Sequence, residues 1–200
     1  MERASAHKIN SPLYRITKAA ARMFLAPFFD LRVEGRENLP QRGSFILLPK
    51  HQRWEDIPLL GLAVSRPLYY VAKIELFRSP LSSWFVSSLG GIPLNRQRPV
   101  ATRTSIRTMV DLLRKGEGLV IFPEGTYYRN RMGSGHVGLI RLTGSQVRVP
   151  WIPVGIRYSR EGLPRRVDIT FGHMIPWESS EKPEAFLASA MQDIRALSGL

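Results

Sequence analysis

The sequence has no cysteine among its 200 residues, which excludes disulfides, thiolate nucleophiles and thiolate metal centres and removes any need for an oxidising compartment. It also lacks an uninterrupted apolar run of the ~20 residues that a spanning helix needs, so a bilayer is expected to be touched and not crossed. The opening MERASAHKINSP lacks the tripartite secretory pattern, which points to the cytoplasmic side. Acidic residues are scarce, with 16 Asp and Glu against 29 Lys and Arg for a formal charge of +13. That excess suits anionic membranes, acidic carriers or nucleic acid. No recognised nucleic-acid module or aromatic-rich basic strand accompanies it, so no nucleic-acid partner is expected. Histidine is sparse too, at four residues. No grouping of His, Asp and Glu has metal-ligand spacing, so no metal is expected.

What is present is the composition of a globular fold, 44% hydrophobic and 22% charged, at a length that buries a core without staples. Residues 11–27 read as a helix with Leu13, Ile16, Ala20 and Phe24 on one side and Arg15, Lys18 and Arg22 on another, the basic amphipathic pattern of an interfacial helix. A helix docked on its own core with a solvated basic face has the same pattern. Beyond it, strand and helix signals alternate, the mark of an α/β layer architecture. Strands are expected at 29–33, 45–48, 68–71, 119–122, 149–156 and 167–171, and helices at 58–64, 81–89, 100–114, 138–142 and 184–197. The expected fold is a mixed, mostly parallel central sheet flanked by helices, with the amphipathic helix at its N-terminus.

Four segments hold the candidate chemistry. In KHQRWEDIPLL, His51 follows the apolar run FILLP and Asp56 stands five residues on, at the mouth of the next helix. An imidazole of ordinary pKa, about 6.5, accepts a hydroxyl proton at neutral pH, and a carboxylate on its other nitrogen fixes the tautomer and stabilises the imidazolium. Asp56 is equally suited to capping the helix before Pro58. In GLVIFPEGTYYRNR an apolar strand ends in Glu124, Gly125 and Thr126, at the strand end where open α/β sheets form ligand crevices. GGIPLNRQR is a short strand leading to Arg96, whose planar fork matches phosphate. In RVPWIPVGI, Pro150 and Pro153 flank a hydrophobic strand, which predicts an edge position or an irregular wall. The spacing of Gly133, Gly135 and Gly138 imitates a dinucleotide fingerprint but lies well past the strand end, so it reads as loop and helix start. His136, His173 and His7 are assigned no role.

Taken in order, HQRWED, GGIPLNR, FPEGT and VPWIPV resemble the four sequence blocks of the glycerolipid acyltransferase family, and VAKIELF is similar to its stretch around Lys73 and Glu75. The resemblance implies that His51 is a general base oriented by Asp56 and that the acceptor oxygen attacks an acyl thioester directly. It further implies that Glu124, Gly125 and Thr126 serve acceptor binding and site architecture, and that Arg96 meets an acceptor phosphate. Lys73, or amides near it, would hold the oxyanion. The donor would be acyl-CoA or acyl carrier protein, with no cofactor, and the acceptor a lysophospholipid or glycerol phosphate, 1-acylglycerol 3-phosphate first among them. Residues 1–30 would be a tail and membrane-associating helix and 31–200 the acyltransferase domain, peripheral on the inner face of a membrane. Many relatives have Asp where Asn95 stands and Arg where Tyr127 stands. That departure keeps open a non-phosphate amphiphile, such as a glycolipid or aminolipid, as acceptor. A non-catalytic basic membrane-binding protein is the alternative outside the enzymes.

Overall fold

The computed structural model describes residues 8–95, 99–159, 161–177 and 182–200. Among them the chain forms α1 (Ser11–Leu25), β1 (Phe29–Glu34), β2 (Phe45–Pro49), α2 (Asp56–Ala63), β3 (Leu68–Lys73), α3 (Pro80–Ser88) and β4 (Gly91–Leu94). It continues with α4 (Pro99–Arg114), β5 (Gly118–Val120), α5 (Val137–Gly144), β6 (Trp151–Tyr158), β7 (Arg165–Phe171) and α6 (Pro183–Leu197). Short 3-10 helices lie at Arg36–Asn38 and Ile74–Phe77. The helix expected from residue 58 starts two residues earlier, and the strand expected to reach residue 122 leaves the ladder after Val120.

The strands form one sheet in the order β1-β7-β6-β2-β5-β3-β4. β6, β2, β5, β3 and β4 are mutually parallel, while β7 runs antiparallel to β6 and carries β1 beside it in parallel. The fold is thus mixed α/β with a mostly parallel sheet. β2, FILLP, is buried at every position, as a central parallel strand covered on both faces must be. Its side chains alternate between two cores. Ile46 and Leu48 meet Met109 and Leu113 of α4, Ile140 of α5, and Phe186 and Ile194 of α6. Phe45 and Leu47 meet Leu59 and Leu60 of α2 on the other face.

Two expectations are corrected. β6 is not an edge, since it lies between β7 and β2. Its even-numbered residues face β2, where Pro150 and Val154 accept hydrogen bonds from Ile46 and Lys50. The odd-numbered Pro153 faces the other side, just beyond the start of the β7 ladder at Val154↔Phe171, and there only its carbonyl is used, by Gly172 N–H. The missing amide of Pro153 therefore strands no acceptor, which is why an interior strand tolerates it.

The second correction concerns α1. It starts at Asn10, whose side chain accepts from Leu13 N. Its protein-facing stripe is Tyr14, Lys18, Ala21 and Leu25, with Tyr14 and Leu25 packed on the two cores and Lys18 Nζ bonded to Val64 O at 2.6 Å. Of the side that holds Leu13, Ile16, Ala20 and Phe24, Ile16 and Phe24 are exposed, at 67% and 66%, while Leu13 and Ala20 are half-buried. Lys18, expected on the outer basic face, turns inward.

Candidate active site

Because β2 and β5 are parallel neighbours with Leu47 opposite Val120, the residues four places further on, His51 and Glu124, leave the sheet level with each other. They stand at the carboxyl ends of parallel strands, where open α/β sheets place their ligand crevices.

His51 is 7% exposed. Its ring stacks on Phe122 (centroids 3.8 Å apart, 24° between planes) and meets the edge of Tyr127 at 4.4 Å. Nδ1 lies 3.0 Å from Asp56 Oδ2. That oxygen also accepts the amides of Gln52 at 2.6 Å and Arg53 at 2.8 Å, and Oδ1 accepts the Tyr158 hydroxyl at 2.7 Å. Asp56 is wholly buried, and its two oxygens face donors only. Nδ1 therefore carries the proton and donates it, which leaves the Nε2 lone pair for a substrate. Burial, and then the charge of Asp56, raise the Tyr158 phenol pKa well above its ordinary value, so it remains a donor. Asp56 does not cap α2. The cap residue is Glu55, which makes no side-chain cap bond, and the Asp56 carboxylate ties the preceding turn instead.

Glu124 has no exposed surface. Its Oε2 lies 2.7 Å from Lys50 Nζ and accepts His51 N–H at 3.0 Å, and its Oε1 accepts from Lys50 at 2.9 Å and from Gly133 N–H at 2.6 Å. Lys50, equally buried, also donates to His51 O and Tyr128 O. Burial lowers the Lys50 ammonium pKa, and Glu124 counters this. The part that geometry gives Glu124 is architectural: it clamps the His51 loop to residues 128–133 and offers no surface to an acceptor.

Its neighbours do reach solvent. Gly125 takes φ +64°, a left-handed turn closed by its own N–H on Phe122 O, and Thr126 and Tyr127 are exposed. Lys73 ends β3, exposed, and no hydrogen bond or ion pair joins it to His51, Asp56 or Glu124 among the described residues. Arg96 lies outside the described residues. Arg131 lies over the Tyr128 ring at 5.4 Å. Gly133 serves close packing, because a Cβ there would meet the Tyr128 ring at 2.2 Å. No group of three or more potential metal ligands occurs among the described residues.

Lys50, Phe122 and Tyr158 were not singled out by sequence reasoning as parts of this site. Lys50 carried a usable signal, because a lysine directly after a buried strand requires a partner, and Glu124 ends another such apolar run. Tyr158, 102 residues from Asp56, carried none.

A model of the acyltransferase family matches residues 30–157. The chain is 28% identical over 151 residues to the 1-acyl-sn-glycerol-3-phosphate acyltransferase LPAT1, chloroplastic, of Arabidopsis thaliana, covering 74% of this chain and 42% of that one. It is 31% identical over 115 residues to the 1-acyl-sn-glycerol-3-phosphate acyltransferase of Bacillus subtilis, covering 57% of each chain. It is also 31% identical over 144 residues to the lyso-ornithine lipid O-acyltransferase of Pseudomonas aeruginosa, covering 72% of this chain and 54% of that one. The chain spans about half the length of these curated relatives. The crystal structure of the 1-acyl-sn-glycerophosphate acyltransferase PlsC from Thermotoga maritima shares the fold, with a TM-score of 0.75 over 93% of this chain and 78% of that one at 23% identity.

Proposed function

The chain belongs to the acyltransferase family, and from that premise we propose that it moves a fatty acyl chain from a thioester, of coenzyme A or acyl carrier protein, onto the hydroxyl of a lysophospholipid or glycerol phosphate at an anionic membrane surface. The observation that carries the mechanism is the 3.0 Å contact between His51 Nδ1 and a buried, four-fold hydrogen-bonded Asp56. Nε2 takes the acceptor's hydroxyl proton as its oxygen attacks the thioester carbonyl carbon. The tetrahedral intermediate expels the thiolate, the C–S bond breaks, and the imidazolium returns the proton to sulfur. The Asp56 charge stabilises the imidazolium throughout. No acyl-enzyme forms.

Gly125 and Thr126, beside His51 and open to solvent, are assigned to the acceptor. Arg96 is assigned to its phosphate. β3 lies two strands, about 10 Å, from β2, so Lys73 suits a donor or acceptor phosphate better than the oxyanion. The membrane surface is supported by exposed Ile16, Met23 and Phe24 of α1 and by exposed Leu76, Leu81 and Trp84 around the start of α3. No helix among the described residues is long and apolar enough to cross a membrane.

A second acceptor class is favoured by one contact. Tyr127 fills the space against His51 where relatives often place a cation, which suits an aminolipid such as a lyso-ornithine lipid. The test is mass analysis of products from mixed acyl thioesters with lysophosphatidate, glycerol 3-phosphate and lyso-ornithine lipid. Phosphatidate as the main product is expected. Acylated ornithine lipid alone transfers the assignment to the second class, and no new ester from any acceptor overturns both.

A further inference from the structure

At the opposite end of the sheet from His51, a cavity of about 320 Å³ lies between α1, the Arg36–Asn38 turn and the end of α2. Four cations line it, Lys18, Arg22, Arg36 and Arg66, and no carboxylate does. None of the four is ion-paired with an acidic group among the described residues. Three are instead held by backbone carbonyls: Lys18 by Val64 O, Arg36 by Ala63 O at 3.1 Å, and Arg66 by Pro40 O, Gly43 O and Gly116 O. A carbonyl fixes a side chain and satisfies one donor, but it leaves the charge uncompensated. Lys18 shows the result, since its pKa is lowered by burial and then by the charges of Arg22 and Arg36.

Such a site is prearranged for an anion with several acceptor oxygens. Arg36 spends only Nε on Ala63 O, so its two terminal nitrogens keep the fork that matches phosphate, and Arg22 makes no side-chain hydrogen bond among the described residues. The volume is at the low end for a small-molecule site. Met23 and Phe24, which follow Arg22 on α1, are 64% and 66% exposed, so the helix that walls the basic cavity also presents apolar side chains to its surroundings. That is the profile of a lipid headgroup with its chains in a bilayer. Phe45, at the amino end of β2, borders the cavity, and His51 is six residues, about 20 Å, further along the strand direction. The cavity is therefore not the acceptor subsite.

We propose that this cavity is a phosphate-binding site, separate from the catalytic crevice, that takes the headgroup of an anionic phospholipid and seats α1 on the membrane. Only the source of the phosphate rests on the membrane-enzyme reading above. The test uses the full chain and two probes, phosphatidylcholine vesicles with and without phosphatidylglycerol, and soluble inorganic phosphate. Arg22→Gln/Arg36→Gln is compared with a charge-matched control away from both the cavity and α1, Arg32→Gln/Arg107→Gln. Two basic residues at ~1 kcal/mol each predict an about 30-fold loss of phosphatidylglycerol-dependent vesicle binding, against less than about threefold for the control pair. Arg22→Gln alone, which removes no intramolecular bond, is expected to lose about fivefold and guards against a folding defect in the double variant. Loss of phosphate binding with vesicle binding intact supports the site with a soluble source. Equal losses in both pairs, or wild-type binding of both probes by the cavity pair, overturn the proposal. His51→Ala should leave these affinities unchanged, so a failed acyl-transfer assay and a failed phosphate site are read separately.

Discussion

His51 takes its orientation from a carboxylate that has no surface of its own. Asp56 is held by Tyr158 from the end of β6 and by two amides of its own loop, so the imidazole is aimed before any substrate arrives. Tyr158→Phe removes one neutral hydrogen bond to a buried charge, which costs ~1.5–3 kcal/mol of stability. The phenol's pKa is raised in the folded state, so its stabilisation is complete below the unfolded phenol's pKa of about 10 and is lost only as pH climbs towards the raised value. The stability gap between wild type and Tyr158→Phe should therefore be constant from about pH 6 to 9, followed by urea unfolding across that range. A gap that closes within it would show that the phenol ionises there. The dyad was legible in the sequence because both partners lie on one five-residue turn. The Lys50–Glu124 clamp and Tyr158 were not, because they meet across 74 and 102 residues of chain, and only strand register brings them together.

At the level of the elements, alternating patterns, with the GGIPL segment, located the α-helices and strands of the described residues but neither 3-10 helix, because each long apolar stripe has one place to go. They failed where apolar residues occupy two faces. α1 presents Tyr14, Ala21 and Leu25 to the protein and Ile16 and Met23 to solvent, and periodicity alone cannot say which stripe docks on the core. The prolines of β6 left an edge or an irregular wall open for a related reason, since proline forbids a central position only when its missing amide faces a partner. The outward stripe of α1 gives a test. Ile16→Glu/Met23→Glu should weaken binding to anionic vesicles by at least about tenfold, because two apolar contacts are lost and two like charges added. Both sites are exposed, so unfolding should shift by less than about 0.5 kcal/mol. Unchanged vesicle binding would place membrane contact on another surface, such as the exposed Leu81 and Trp84 of α3.

Across the whole molecule, the parallel strands divide the labour by polarity. Their carboxyl ends hold the His51–Asp56 pair beside exposed backbone and hydroxyl groups, and their amino ends hold the uncompensated cations. The charge of +13 favours any anionic partner, so charge cannot choose between an enzyme and an inert membrane binder, whereas the buried dyad can. The most direct discrimination is a single-turnover assay of acyl transfer to lysophosphatidate by His51→Ala, run beside vesicle binding and thermal unfolding of the same preparation. If His51 is the general base, transfer falls by about 10²–10⁴-fold while vesicle binding holds. Transfer at the wild-type rate by a folded, vesicle-bound variant would contradict it.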